Sequence, residues 1–203
     1  MEIIFLLTKI GEIYQQNSYH VILLCNFTIP KDKKMSDEII NKVANSGLIT
    51  IDLQDYYPDG ERVVFDLKDW LYEEIILREK DFRENLKNHD WSQYENKYVA
   101  ITCTADAIVP SWAYLLVTTY LSPVAKRIVH GSLKDLDQIL YTEIVDHLPY
   151  EEYENGKIIV KGCSHKPVPD SAYIQLIERL QPIVSSLMFG EACSTVPLYK
   201  KKK

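Results

Sequence analysis

Apolar and polar positions fall into one pattern that the chain writes twice. A short apolar run, Tyr98-Val99-Ala100-Ile101, leads to Cys103; Val109-Pro110 follows, then Ala113-Tyr114, Leu121, Pro123 and finally Gly131. The order returns 59 positions later as Val168-Pro169, Ala172-Tyr173, Leu180, Pro182 and Gly190, behind Lys157-Ile158-Ile159-Val160 and Cys163. Upstream, Tyr94-Glu95-Asn96 returns as Tyr153-Glu154-Asn155. The runs before the two cysteines are rich in β-branched residues and predict strands. Proline in a first helical turn loses no hydrogen bond, so helices should open at Pro110 and Pro169, with Ser111 or Asp170 helping to satisfy the free amides. Pro123 and Pro182 end or kink these helices. Arg127-Ile128-Val129-His130 and Ser186-Leu187-Met188-Phe189 then read as strands, each closed by a glycine. Between the copies, Leu133, Leu136, Ile139, Leu140 and Ile144 have helical spacing.

Strands that alternate with helices imply right-handed crossovers and a parallel sheet covered by helices. Before the repeated part, residues 48–53 alternate like a half-buried strand and Arg62-Val63-Val64-Phe65 resembles a second, with Pro58-Asp59-Gly60 as a turn between them. Residues 69–88 place Trp70, Leu71, Ile75, Phe82 and Leu86 among charges and predict one or two amphipathic helices ending near Asn88-His89. The expected fold is therefore α/β: a mostly parallel sheet with flanking helices, built from two duplicated strand–helix–strand units at about 91–131 and 150–190, plus an N-terminal antiparallel strand pair.

With 203 residues and 46% hydrophobic content, the chain can bury a sizeable core in a single unit. Its first 34 residues read differently. Their apolar runs at 3–7 and 21–25 fall short of the roughly 20 residues that span a bilayer, and Glu2 and Leu24 do not suit a secretory or lipoprotein signal. Ser36-Asp37-Glu38 makes a good helix start just after Met35. Translation is accordingly expected to begin at Met35, which leaves 1–34 as a non-native upstream extension and 35–203 as one domain. A net charge of -6 and a pI near 5.4 argue against binding a nucleic-acid backbone over a broad face. The basic run at Lys200–Lys203 reads as a short solvated tail.

The absence of an export signal places the cysteines in a reducing cytoplasm, where they serve as packing residues, reactive thiols or metal ligands. In one parallel sheet, Cys103 and Cys163 would follow the carboxyl ends of their strands and Cys193 would follow Gly190, so one rim would gather three thiols, with His130 pointing the same way. Each is followed by a hydroxyl residue and a nearby proline, a context whose backbone amides can favour a thiolate. Three readings compete. One is an iron–sulfur cluster or zinc held by Cys103, Cys163 and Cys193, with His130, His165, Asp106 or an external ligand in the fourth position. Another is thiol catalysis, with Cys163 as nucleophile and His165 or His130 as base. In the third, the cysteines only pack, and the protein is a non-catalytic interaction module. His89 and His147 read as structural, and Trp112, Tyr114 and Tyr173 as core. Phosphate-binding, zinc-protease and serine-hydrolase motifs do not occur.

Several longer segments carry a family likeness: residues 43–50, Tyr56-Tyr57-Pro58, residues 60–66, Ala105-Asp106-Ala107-Ile108-Val109-Pro110, Gly162-Cys163-Ser164, and residues 193–199. From Met35 onward the chain resembles a family catalogued as domain of unknown function 2480, found mainly in Bacteroidota. Members look like neighbours of sulfur-mobilisation genes for iron–sulfur assembly. The resemblance therefore implies iron–sulfur assembly proteins as partners and favours the metal reading.

Overall fold

A computed structural model describes residues 47–162, 165–191 and 193–202, all within one compact unit. The expectations about residues 1–34 and about a start at Met35 lie outside the described residues. The elements run β1 (Leu48–Ile51), β2 (Arg62–Asp66), α1 (Glu79–Asn88), β3 (Tyr98–Thr102), α2 (Ser111–Leu121), β4 (Arg127–His130), α3 (Leu133–Asp146), β5 (Lys157–Val160), α4 (Asp170–Leu180), β6 (Ser186–Glu191) and β7 (Ser194–Lys200). One-turn 3-10 helices follow β1 and β2 at Leu53–Tyr56 and Leu67–Trp70, and precede β3 and β5 at Trp91–Tyr94 and Tyr150–Tyr153. The fold is mixed α/β with mostly parallel strands, as the alternation predicts. Among the described residues no helix is long and apolar enough to cross a membrane.

Two departures from expectation matter for the site. First, the strands form two sheets: a four-stranded one in the order β1-β5-β6-β7 and a three-stranded one in the order β2-β3-β4. Their cause is α3. A crossover helix normally returns the chain to a neighbouring strand, but α3 carries two apolar stripes. Leu136 and Leu140 pack with Tyr98, Ala100 and Val129 of the three-stranded sheet. Tyr141 and Val145 pack with Ile51, Ile158, Val160 and Leu176 beside the four-stranded sheet. A helix apolar on two sides needs two partners, so α3 stands between the sheets and also contacts α4.

Second, no antiparallel pair forms from β1 and β2. β1 pairs with β5 and β2 with β3, both in parallel. Asp52 caps the 3-10 turn that follows β1, accepting from the Gln54 amide, and this lengthens the connection well beyond the two to five residues of a hairpin loop. Antiparallel pairing occurs instead between β6 and β7, a strand that lay beyond the repeated pattern.

The proline-led helices begin as expected, with Pro110 and Pro169 in the cap position. Neither Ser111 nor Asp170 caps them through a side-chain hydrogen bond. Asn96 and Asn155 both have a left-handed backbone, at φ 56° and 57°, a conformation that asparagine tolerates better than most residues. Their amides donate to Val124 and Ile183 carbonyls respectively, each just before the next strand. Residues 71–76 form a tight turn bridged between Tyr72 and Ile76, so only the second part of the expected 69–88 helix is helical.

Candidate aromatic-walled binding cleft

Division into two sheets also divides the predicted cysteine site. Cys103 follows β3, is half-buried among the residues that pack on α1 and α2, and approaches the Ala105 carbonyl at 3.9 Å. His130 ends β4 and meets the ring of Tyr114 edge-on, with centroids 4.6 Å apart. Burial raises the Tyr114 hydroxyl's pKa, and the nearby Cys103 and Asp66 add to the effect. Of these groups, His130 touches the Tyr114 ring of α2, while Cys103 and Asp66 act on the phenol through their charge. Cys193 belongs to the other sheet, exposed in the turn between β6 and β7. Cys163 lies outside the described residues. Among the described residues no group of three or more His, Cys, Asp and Glu side chains stands close enough to hold a metal ion. Asp106 is exposed, and so is His165, whose backbone amide donates to Gln54 Oε1 at 2.6 Å.

A different constellation emerges where β2 ends. Asp66 terminates the strand and caps the following 3-10 turn: its Oδ1 accepts from the amides of Lys68 at 2.9 Å and Thr104 at 3.0 Å. Oδ2 accepts from the Thr104 hydroxyl at 2.5 Å. Partial burial would raise the pKa of this carboxyl, but the hydrogen bonds from Thr104 and Lys68 outweigh it and hold the value below the ordinary carboxylate range. Asp66 is therefore an anion that fixes the loop after β3 to the end of β2.

Beside it runs a column of stacked rings. Trp70 lies on Phe65 at 5.1 Å, Phe65 on Trp91 at 5.7 Å, and Trp91 on Tyr120 at 5.0 Å, with interplanar angles of 24°, 14° and 16°. His89, just past α1, meets Trp70 and Trp91 edge-on at 4.9 and 4.8 Å. Its Nε2 lies 3.2 Å from the Tyr94 hydroxyl and 3.0 Å from the Gln93 amide nitrogen. Burial lowers the pKa of His89 against the pull of Asp90, and burial raises that of Tyr94. Both shifts favour a neutral imidazole that accepts from a protonated phenol.

These groups wall an open cleft of about 490 Å³. Phe65, Trp70, His89 and Tyr94 form its aromatic side, while Asp66, Asp69, Asn85 and Asn88 supply polar groups. Asp69, Asn85 and Asn88 are exposed, and among the described residues none of the three has a side-chain hydrogen-bond or ion-pair partner. A few polar groups set against aromatic walls are the usual composition of a small-molecule site, and the volume falls within the roughly 300–1,000 Å³ of such sites.

A family model described as Protein of unknown function (DUF2480) matches residues 37–201. The chain belongs to this family. No curated protein and no solved structure shows significant similarity to it. For a member of this family the cleft is the built feature that reading along the chain missed. His89 reads as a structural residue because no motif surrounds it. The available signal was the crowding of Trp91 and Tyr94 behind it, together with the amides Asn85 and Asn88 one turn apart on α1.

Proposed function

We propose that the protein is a small-molecule binding module that takes its ligand in the cleft beside β2. The observation that carries this reading is an open cleft lined on one side by aromatic rings and elsewhere by Asp69, Asn85 and Asn88, polar groups with no side-chain partner among the described residues. In this reading the two strand–helix–strand units are copies of one unit, supported by the 59-residue recurrence and the paired left-handed Asn96 and Asn155. The segment carrying α1 is then an addition to one of them. A metabolite mixture screened by tryptophan fluorescence and thermal shift tests the idea. A binder should emerge whose affinity falls in Asn85→Ala and Asn88→Ala, exposed positions whose replacement leaves the fold intact. Binding that ignores both variants, or a screen without binders, overturns it.

A second reading keeps the thiols: an iron–sulfur cluster or zinc bound through Cys103, Cys163 and Cys193 with His130, in the cytoplasm and in company with iron–sulfur assembly proteins. Its support is that Cys103 follows β3 and His130 ends the neighbouring strand β4, and that soft metals prefer thiolate. Anaerobically purified protein should then hold metal near stoichiometry and lose it in Cys103→Ser. Metal-free protein that cannot be reconstituted removes this reading.

A further inference from the structure

The two sheets treat equivalent carboxylates differently. Asp52 and Asp66 each end a strand's run into a 3-10 turn, within the matching sequences Asp52-Leu53-Gln54-Asp55 and Asp66-Leu67-Lys68-Asp69. Asp52 has a cation of its own, Lys161 Nζ at 3.2 Å. Asp66 is held only by neutral donors, the Thr104 hydroxyl and two backbone amides. Lys68 favours the ionised form of Asp66 through its nearby charge, but its ion pair is with Glu74 at 3.2 Å. Asp69 adds a second carboxylate on the same cleft, with no ion pair among the described residues. Burial lowers the pKa of His89 and so disfavours a positive charge there, and Phe65, Trp70, His89 and Tyr94 line the cleft.

Two carboxylates, neither joined to a cation by an ion pair among the described residues, beside tryptophan and tyrosine rings, suit a cationic ligand, because the ring quadrupole and the carboxylate attract the same group. We infer that the cleft binds a small organic cation, an alkylguanidinium or alkylammonium compound, with its charged head between Asp69 and the Trp70 ring. This inference rests on the reading of the cleft as a ligand site. The amide oxygens of Asn85 and Asn88 accept hydrogen bonds from the remaining N–H groups of the head. A free small molecule suits the cavity's size better than a docking protein.

n-Butylguanidinium and its neutral near-isostere n-butylurea separate charge from shape. Titrated into the full chain and followed by tryptophan fluorescence and calorimetry, the guanidinium should bind about tenfold more tightly. Asp69→Asn, an exposed change that leaves the fold intact by circular dichroism, should weaken it about three- to fivefold. Trp70→Phe, which keeps a ring in the column, should weaken it by a similar factor. Equal affinity for the urea, no binding of the guanidinium, or binding indifferent to Asp69→Asn overturns the cation assignment. A blocked arginine tripeptide binding much more tightly than butylguanidinium overturns the assignment to a free molecule. A neutral metabolite whose binding falls in Asn88→Ala leaves the cleft as a ligand site while sinking the cation, so the two failures are distinguishable.

Discussion

The four-stranded and three-stranded sheets use the same parts to different ends. Each begins with a strand that an aspartate leads into a 3-10 turn, and each continues through a strand, a proline-led helix and a parallel strand. On the β1–β5–β6 side the aspartate is closed off by Lys161, and the chain passes from the turn to β2 with no helix between. On the β2–β3–β4 side residues 71–90 intervene, bringing α1, His89 and a second wall against Trp70. A similar order of elements therefore carries a lysine-paired aspartate in one place and an open cleft in the other. The difference lies in residues 71–90 and in the lysines: Lys161 pairs with Asp52, whereas Lys68 pairs with Glu74.

Core substitutions test this contrast with the largest effects. Phe65→Ala empties the middle of the ring column and should cost about 3–5 kcal/mol in chemical denaturation, whereas Ile51→Ala, the equivalent position, should cost nearer 2 kcal/mol. Equal losses would show that the column is ordinary packing. Next comes Asp66→Asn, which weakens the acceptor of three hydrogen bonds at a charged group and should cost about 1.5–3 kcal/mol. Both aspartates have lowered pKa values, so their stabilisation is present above the ordinary carboxylate pKa and is lost as pH falls through the folded-state values. Carboxyl titration by NMR sharpens the comparison: Lys161→Met should raise the Asp52 midpoint and leave Asp66 unmoved, while Thr104→Val should do the reverse. Ser132→Ala, which removes half of the capping box on α3, should cost about 1 kcal/mol. The smallest effect belongs to His89. Its folded pKa lies below the ordinary value near 6.5, so the unfolded chain takes up the proton first and stability declines as pH drops below that point. In His89→Gln the decline between pH 6.5 and 5 should be shallower, as thermal melts would show.

Much of the scaffold was legible in the order of residues. Pro110 and Pro169 mark helix starts because their φ is fixed and they have no amide to leave unbonded, and the runs ahead of Cys103 and Cys163 have the branching that strands favour. The split into two sheets was not legible from Leu136 and Leu140 alone. It depended on Tyr141 and Val145 forming a second stripe on α3, which counts only once a second partner exists. The three-thiol rim failed as a single sheet edge for the same reason. The cleft was hidden more deeply, since Phe65, Trp70, His89 and Tyr94 come from separate elements and meet only after α1 folds back on β2. A lone histidine between a helix and a turn carries no spacing by which to recognise it.

Trp70, Trp91 and Trp112 all pack against the core that covers one face of the three-stranded sheet, yet α3 is wedged between that sheet and its neighbour. Intrinsic emission consequently watches one lobe of the molecule, while far-ultraviolet ellipticity watches both. Because a single helix supplies a wall to each lobe, melting either one strips the other of buried surface. The optical and chiroptical curves should therefore superimpose in urea as one cooperative transition, and prying α3 loose should make them part.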